Sequence, residues 1–315
     1  MGFLKALPGV KKNILLARYT TFKIGGLAKY FFLAKSKEDI IRAIKAAKKN
    51  NLPFFILGGG SNILVSDKGF DGLVIKIQKS KIKMQNDNAK FKIFCEAGTL
   101  LAKLVSKSLK VGATGLEWLI GIPGTIAGAV YGNAGAYGHS ISESVVGVQV
   151  LTCKGKVLNY TNKDCQFAYR SSIFKKNKEI ILEVVFQLTK GNKEKSQKQI
   201  KKYLTIRKNK IPIYPSAGSI FKNIEQRTMN NKQLKLIPKE KIKNDMVPAG
   251  YLIEQCGLKG RQINGAKISQ PHANFIVNLG RAKAKDVIAL IELCKREVKN
   301  KFKVNLEEEI QYLGF

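Results

Sequence analysis

A glycine-dense but apolar stretch, from Gly112 to Gly138, constrains the fold of this chain more than any other feature. Its central part reads GIPGTIAGAVYGNAGAYG over residues 121–138, with Ile, Ala and Val between the glycines. This composition is too apolar for a flexible, solvent-exposed linker. The backbone here must therefore be closely approached, either by a flat cofactor or by another part of the chain. Close helix packing within the stretch is the alternative interpretation.

A second glycine segment, LGGGSNILVSD, occupies residues 57–67 directly after the apolar run Phe54–Leu57. Glycine lets backbone amides approach a pyrophosphate without interference from a Cβ atom, and Ser61 and Asn62 add side-chain hydrogen bonds. The spacing matches neither the GxGxxG pattern of Rossmann folds nor that of a P-loop. A tight turn without any ligand is the simpler alternative.

Length and composition favour a globular enzyme of two or three domains. The chain has 315 residues, of which 44% are hydrophobic, and this is enough to bury a core in each domain. No run approaches the roughly 20 consecutive apolar residues of a membrane span, and the N-terminus lacks the apolar core of a signal peptide. We therefore expect a cytoplasmic protein without a membrane partner, and we expect it to act as a monomer.

The cysteines and the strong positive charge carry little functional signal. The five cysteines form no CxxC pair and the two histidines are too few to complete a zinc site, so we expect reduced thiols and no metal site. The formal net charge is +34, and a basic surface attracts phosphates. The lysines, however, are spread through helices and loops rather than gathered in one basic stripe. We expect no nucleic-acid partner, and a surface that helps to attract an anionic substrate such as a nucleotide diphosphate.

Hydrophobic periodicity divides the chain into three parts, at 1–80, 81–191 and 192–315. The first part combines a helix at about 37–50, preceded by Ser36 at the start of a capping-box-like sequence, with short strands. Its predicted strands are Phe54–Leu57, Ile63–Val65 and Leu73–Ile77. The second part carries a helix after Thr99 and longer strands, predicted at Phe91–Glu96, Val145–Leu151, Val157–Tyr160 and Ile180–Leu188.

The third part begins with a polar helix at 192–209, which we interpret as a connector between domains. A Lys-rich insertion follows near 225–245, and its function cannot be read from the sequence. The remaining elements are predicted as helices at Tyr251–Cys256 and about Lys285–Lys299, and as strands at Phe275–Val277 and Val304–Ile310.

Three polar residues outside the glycine segments could perform chemistry. Arg170, in YRSSIF, offers a planar and permanently charged guanidinium, which suits a carboxylate or an enolate. Ser219, in PSAGSIFKN, is a poor acid unless its neighbours stabilise the alkoxide or relay a proton. Glu309 lies in LEEEI, where strand alternation places Asn305, Glu307 and Glu309 on one face. Taken alone, the three would be a surface arginine, a turn serine and a solvated acidic edge.

Seven sequence blocks occur in the order found in the UDP-N-acetylenolpyruvoylglucosamine reductase family, which the chain resembles over nearly its whole length. The blocks are LGGGSN, IPGTIAGAVYGNAGAYG, YRSSIF, PSAGSIFKN, LIEQCGLKG, HANFIVN and LEEEI. The resemblance implies an α+β fold, with a two-lobed FAD-binding domain of the vanillyl-alcohol oxidase and p-cresol methylhydroxylase type and a C-terminal α+β substrate-binding domain. Residues 1–80 and 81–191 would be the two FAD-binding lobes, and 192–315 would be the linker helix and the substrate-binding domain.

The resemblance also implies which residues form the site. FAD would bind without a covalent link, and its pyrophosphate would be held by Gly58, Gly59, Gly60, Ser61 and Asn62. The flavin would be lined by Gly121, Ile122, Pro123, Gly124, Thr125, Gly128, Asn133 and Gly135. The matched catalytic residues are Arg170, Ser219 and Glu309, and the matched substrate contacts are Tyr169, Lys210 and Asn223. The sequence shows no clear covalent anchor motif, although His139 beside the glycine stretch is a chemically competent tether.

The reaction implied by the resemblance is the reduction of UDP-N-acetylglucosamine enolpyruvate to UDP-N-acetylmuramate, a peptidoglycan precursor. NADPH would reduce the FAD, which then delivers hydride to the vinyl carbon of the substrate. Arg170 and Glu309 would stabilise the enol form of the carboxylate, and Ser219 would protonate the adjacent carbon. Because no tyrosine-bearing loop is evident between Arg170 and Pro215, we place the chain in the subgroup that lacks this loop.

Two other functions fit part of the sequence. A flavin oxidase of the same fold, acting on another substrate, would keep residues 57–135 but not the set of Arg170, Ser219 and Glu309. A basic nucleic-acid-binding protein would need exposed aromatic side chains within a coherent basic stripe. Neither function explains all seven blocks.

Overall fold

The structure, a computed structural model, describes residues 3–78, 80–87 and 90–315 and divides into two compact units. The first unit consists of Met1–Ile14, Ala28–Gly59 and Asp71–Arg207. The second unit consists of Leu15–Leu27, Gly60–Phe70 and Lys208–Phe315. Each unit is therefore assembled from segments that are distant in sequence, whereas the three parts predicted from the sequence are continuous.

The first sheet of the first unit supports the LGGGSN segment. Its strands lie in the order Lys11–Leu15, Leu27–Ala34, Phe70–Ile77 and Phe54–Leu57, and the last two are parallel. The predicted helix is confirmed at Lys37–Lys49, and it begins where the Ser36 hydroxyl accepts a hydrogen bond from the Asp39 N–H at 3.1 Å. Its apolar face buries Ile40, Ala43 and Ile44. A short helix at Phe3–Ala6 packs on the same core.

The second sheet of the first unit is larger and antiparallel. Its strands run in the order Val157–Thr161, Val145–Leu151, Ile180–Lys190, Lys90–Glu96 and Ile82–Asp87, with Ala113–Thr114 pairing beside Ile180–Lys190. The strands predicted in this region are thus confirmed. The glycine stretch forms the helix Ile126–Tyr131 and a small hairpin of Gly135–Ala136 with His139–Ser140.

The helices of this region pack on the sheet and close its core. They lie at Leu101–Lys110, Ile173–Asn177 and Lys193–Lys210. The last of these is the predicted connector. It buries Tyr203 in the core and places the Ser196 hydroxyl 2.5 Å from the buried carboxylate of Glu117. Burial acts to raise the pKa of Glu117, but hydrogen bonds from Ser196, Thr114 and the Gly115 N–H together outweigh it and hold this pKa below its ordinary value.

The second unit is built on a small antiparallel sheet with helices against it. The sheet order is Ser216–Ser219, Phe275–Asn278, Ala266–Ile268 and Gln262–Ile263. The helices are Ala249–Gln255 and Ala284–Phe302, close to the predicted bounds, and Asn231–Lys235. The Lys-rich insertion near 225–245 is bounded by paired strands Ile224–Glu225 and Met246–Val247, and it buries Met229 and Ile237 in the core of this unit.

The predicted strand at Val304–Ile310 is wrong. The segment forms an isolated bridge between Glu308 and Phe221, and the regular strand is Gln311–Leu313, which pairs in parallel with Ile63–Val65. Burial does alternate from Val304 to Glu307, but alternation alone does not supply a pairing partner. Regular strand pairing starts at Gln311, where this segment comes to lie beside Ile63–Val65.

Among the described residues, no helix combines the length and the apolar character that crossing a membrane requires.

Candidate active site

The two glycine segments meet in the first unit. A Cβ atom added to Gly59 would lie 2.7 Å from the Cα of Gly124, and one added to Gly58 would lie 2.6 Å from the Thr125 Oγ1. Real Cβ contacts are essentially never this close, so larger residues could not occupy these positions without displacing the opposite segment. Part of the glycine requirement is therefore contact between segments. We call Gly58, Gly59, Gly124 and Thr125 the glycine cluster.

The cluster leads directly into the Ile126–Tyr131 helix. Thr125 is the N-cap residue of this helix, and its Oγ1 accepts a hydrogen bond from the Gly128 N–H at 3.4 Å. Gly124 has a φ of +134°, a conformation that L-residues rarely adopt. Gly128 differs from Gly58, Gly59 and Gly124 because it is exposed. The nearest atom to a Cβ added there is the Thr125 Oγ1, at an ordinary van der Waals distance of 3.5 Å.

The other residues predicted to line the flavin have varied surroundings. Gly121 has a φ of +73°, and an added Cβ would approach Arg207 to 3.0 Å. Ile122 packs against the core, whereas Pro123 is exposed. The buried Asn133 donates to the Ala168 carbonyl at 2.9 Å and accepts from the Ser142 N–H at 3.3 Å. Its amide therefore holds the loop before Arg170, a role that the sequence did not indicate.

Arg170 lies on a tight turn of the first unit. Its φ is +51°, which costs a non-glycine residue roughly 1–3 kcal/mol and is often found at functional sites. The Ala168 and Ser171 backbones exchange hydrogen bonds across this turn, and Lys175 Nζ donates to the Arg170 carbonyl at 2.7 Å. The guanidinium lies over the Tyr169 ring at 5.4 Å, and a Cβ added to Gly135 would come within 3.2 Å of Arg170 Nη1. Tyr169, Arg170 and Gly135 are thus brought together.

Ser219 and Glu309 are brought together in the second unit. The Glu309 N–H donates to the carbonyl of Ile220, the residue after Ser219, at 2.7 Å. Asn62 Nδ2 donates to the Glu309 carbonyl at 3.1 Å, and the Asn62 carbonyl accepts from the Gln311 N–H at 3.0 Å. Asn62, predicted as a cofactor contact, therefore fixes the backbone that carries Glu309.

The three consecutive glutamates are distinguished by their contacts. Glu307 forms an ion pair with Lys222, and Glu308 forms one with Lys295 at 2.5 Å. Burial and a hydrogen bond to Glu308 also raise the pKa of Tyr312. Glu309 is half-buried beside the Ser219 strand. Of the three, Glu309 is the residue whose backbone is hydrogen-bonded nearest to Ser219, at Ile220.

The predicted substrate contacts Lys210 and Asn223 also belong to the second unit. Lys210 is exposed at the end of its helix, and the Asn223 Oδ1 accepts a hydrogen bond from the Ala249 N–H at 3.2 Å. Sequence reasoning missed His272, whose pKa is lowered by burial and then by the charges of Lys210 and Lys259. Its place in the HANFIVN block was the available signal.

No group of three His, Cys, Asp or Glu side chains within the described ranges has the geometry to hold a metal ion.

Comparisons with known proteins identify the families that the two parts of this chain match. Residues 28–161 match the family described as FAD binding domain, and residues 209–313 match the C-terminal domain of UDP-N-acetylenolpyruvoylglucosamine reductase. The enzyme of that name from Clostridium novyi (strain NT) is 38% identical over 310 residues, which cover 97% of this chain and 92% of the relative. The homologue from Halalkalibacterium halodurans is 38% identical over 306 residues, which cover 97% of this chain and 94% of the relative.

A solved structure extends the likeness to three dimensions. The crystal structure of UDP-N-acetylenolpyruvylglucosamine reductase from Thermus caldophilus has a TM-score of 0.77 and 32% identity, covering 97% of this chain and 99% of that one. The family resemblance and the predicted α+β fold class, an FAD-binding domain followed by a reductase C-terminal domain, are confirmed. The chain therefore belongs to the UDP-N-acetylenolpyruvoylglucosamine reductase family, whose FAD-binding and C-terminal domains it contains.

Proposed function

We propose that this chain reduces UDP-N-acetylglucosamine enolpyruvate to UDP-N-acetylmuramate with NADPH, a step in peptidoglycan precursor synthesis. The observation that carries the proposal is the adjacency of Ser219 and Glu309, held by the bond from the Glu309 N–H to the Ile220 carbonyl. Both lie in the region that matches the reductase C-terminal domain. An oxidase that shared only the FAD-binding domain would not need this pair.

The residues of the first unit fit FAD. Gly58, Gly59 and Gly124 present backbone without side chains of their own, and a Cβ added to the exposed Gly128 would make only an ordinary contact. FAD, when bound, supplies the hydride chemistry that protein side chains lack. We propose that Gly58–Asn62 hold its pyrophosphate and that Gly121–Thr125, Gly128, Asn133 and Gly135 line the flavin. We propose that FAD binds without a covalent link, because the sequence shows no clear anchor motif for one.

The polar residues bind the substrate and stabilise or protonate it during the reaction. Arg170 pairs with the substrate carboxylate, since its guanidinium can stabilise the negative charge that develops there. Glu309 acts with Arg170 on the enol form of that carboxylate, and Ser219 donates a proton to the adjacent carbon. Tyr169, Lys210 and Asn223 contact the substrate. The neighbouring cations Lys210 and Lys259 suit an anionic nucleotide sugar.

The proposed setting follows from this chemistry. A cytoplasmic location gives access to NADPH and to nucleotide sugars, and the reaction needs neither a nucleic acid nor a membrane. We propose that residues 1–80 and 81–191 form the FAD-binding lobes, that 192–315 carry the substrate-binding domain, and that a monomer is sufficient.

The activity is tested by following flavin absorbance without oxygen. NADPH should bleach the purified yellow protein, and the enolpyruvyl substrate should then restore the colour with formation of UDP-N-acetylmuramate. Bleaching by NADPH without recovery on substrate would overturn the proposal. Oxygen consumption with simple alcohols would instead support a flavin oxidase of the same fold.

The placement of the flavin is tested at Gly128 rather than at Gly124. A Gly124→Val protein would be strained by its backbone conformation whatever lay beside it. Gly128 is exposed, and an added Cβ there would make only an ordinary 3.5 Å contact with the Thr125 Oγ1, so the apoprotein of Gly128→Val should keep most of its thermal stability. FAD affinity should fall by roughly 5- to 150-fold, corresponding to about 1–3 kcal/mol of overpacking.

FAD bound by the Gly128 variants is measured in the supernatant after acid precipitation, which also tests for a covalent link. Gly128→Ala should have a smaller effect than Gly128→Val. Gly147→Ala, on a strand of the same unit with its nearest contacts at 3.7 Å, serves as the control. Full flavin content in a folded Gly128→Val protein would contradict the placement.

A further inference from the structure

A lysine ammonium is enclosed beside the glycine cluster. Lys76 is the second-to-last residue of the Phe70–Ile77 strand and is paired with Leu57 on the parallel strand Phe54–Leu57. Its Nζ donates a hydrogen bond to the carbonyl of Gly58, the first residue of the cluster. The side chain is only partly accessible, and burial lowers the pKa of Lys76 below its ordinary value. The cation therefore lies in a partly desolvated environment.

Several other partly buried lysines, unlike Lys76, have carboxylate partners. Lys37 pairs with Glu183, Lys222 with Glu307, and Lys295 with Glu308. Over residues 3–78, 80–87 and 90–315, no carboxylate forms an ion pair with Lys76. An ammonium has three donors, and the Gly58 carbonyl uses one of them. A desolvated charge without a counterion is costly, so this position favours the arrival of an anion.

The position of Lys76 in the sheet indicates which anion would bind it. Phe54–Leu57 and Phe70–Ile77 are parallel, and ligands of open sheets bind beyond the carboxyl ends of such strands. At this end lie Gly58 and Gly59, with Gly124 and Thr125 against them. Gly58, Gly59 and Gly124 carry no side chains of their own, and they lie in the region that matches the FAD-binding domain. The pyrophosphate is the anionic part of FAD.

We propose that Lys76 is a cofactor-binding residue whose ammonium pairs with the FAD pyrophosphate at the glycine cluster. The Gly58 carbonyl orients the ammonium, and the pyrophosphate supplies the missing countercharge. The inference rests on FAD binding by this domain and not on the roles proposed for Arg170, Ser219 or Glu309. A failed catalytic proposal would therefore leave it intact.

The test measures FAD binding to the full-length apoprotein. It distinguishes the contribution of the Lys76 charge from that of its hydrogen bond to the Gly58 carbonyl. Lys76→Gln keeps a donor for the Gly58 carbonyl but removes the charge, and Lys76→Met removes both. Each should raise the Kd for FAD by about 10- to 100-fold, the usual range for losing a charge-assisted hydrogen bond. Lys76→Arg should retain most of the affinity. Lys45→Met, which removes an exposed lysine from a helix of the same unit, should have no effect.

Two further measurements make the result specific to the phosphates. Riboflavin carries none, so its Kd should be the same for wild type and Lys76→Gln. Added salt should weaken FAD binding less in Lys76→Gln than in wild type, because one screened charge pair is gone. Wild-type FAD affinity in Lys76→Gln would overturn the proposal and leave Lys76 as a tie for Gly58. An equal loss of FAD and riboflavin binding would overturn it too, since the lysine would then act on the loop as a whole.

Discussion

Replacing Ser219 by alanine should leave reduction by NADPH nearly unchanged and slow the return of flavin colour on adding the enolpyruvyl substrate by roughly two to four orders of magnitude. The proposed role of Ser219 is to protonate the substrate carbon, and this step follows hydride transfer from NADPH. If Ser219 made only a neutral hydrogen bond to the substrate, its loss would weaken binding by about 0.5–1.5 kcal/mol, which is a much smaller effect. Anaerobic stopped-flow absorbance separates the two half-reactions.

Ser216→Ala is the matched control for Ser219→Ala. Ser216 lies on the same strand, is also half-buried, and its hydroxyl accepts a long 3.4 Å hydrogen bond from the Gly218 N–H. Both half-reactions of this control should proceed at nearly wild-type rates. If Ser219→Ala slows both half-reactions equally, Ser219 has a structural role in its strand. If it slows neither, the proton comes from Glu309 or from water.

Glu309→Gln should slow the same second half-reaction by roughly two to four orders of magnitude, while bleaching by NADPH and flavin content stay near wild type. Glutamine keeps the size of the side chain and the Glu309 backbone bonds to Ile220 and Asn62. The change therefore removes the carboxylate without removing the segment that carries it.

The two preceding residues provide internal controls for Glu309→Gln. Glu307→Gln and Glu308→Gln each break an ion pair, with Lys222 and Lys295 respectively. Partly exposed pairs of this kind contribute about 0–1 kcal/mol, so both variants should remain folded and active. A greater loss of activity in either control than in Glu309→Gln would show that the motif match assigned the wrong glutamate.

Local sequence signals predicted most of the secondary structure. The Lys37–Lys49 helix has both a polar cap and an apolar face, and the Val145–Leu151 and Ile180–Lys190 strands carry long β-rich runs. The prediction of a strand at Val304–Ile310 is wrong because alternating burial shows only which side chains are covered. A strand also needs a second strand with which to form hydrogen bonds. That second strand, Ile63–Val65, pairs with Gln311–Leu313 instead and is too distant in sequence for a local pattern to indicate.

The candidate site was only partly accessible to sequence reasoning. The two glycine segments were visible, but not their contact at Gly59 and Gly124, which is a property of the folded backbone. The left-handed conformation of Arg170 and the brace provided by Asn133 likewise depend on tertiary structure. Lys76 could not be distinguished among the many lysines of this chain, because its significance lies in its burial and in its partner, Gly58.

The pairing of Ile63–Val65 with Gln311–Leu313 has a consequence for biosynthesis. On the ribosome, the first of these strands emerges long before the second, because about three quarters of the 315 residues lie between them. The second unit therefore cannot complete its hydrogen bonding until Gln311–Leu313 has been made, and until then Ile63–Val65 has an unpaired edge. Closing so long a loop is entropically expensive and slow. We therefore expect the nascent protein to be most prone to aggregation before this pairing forms.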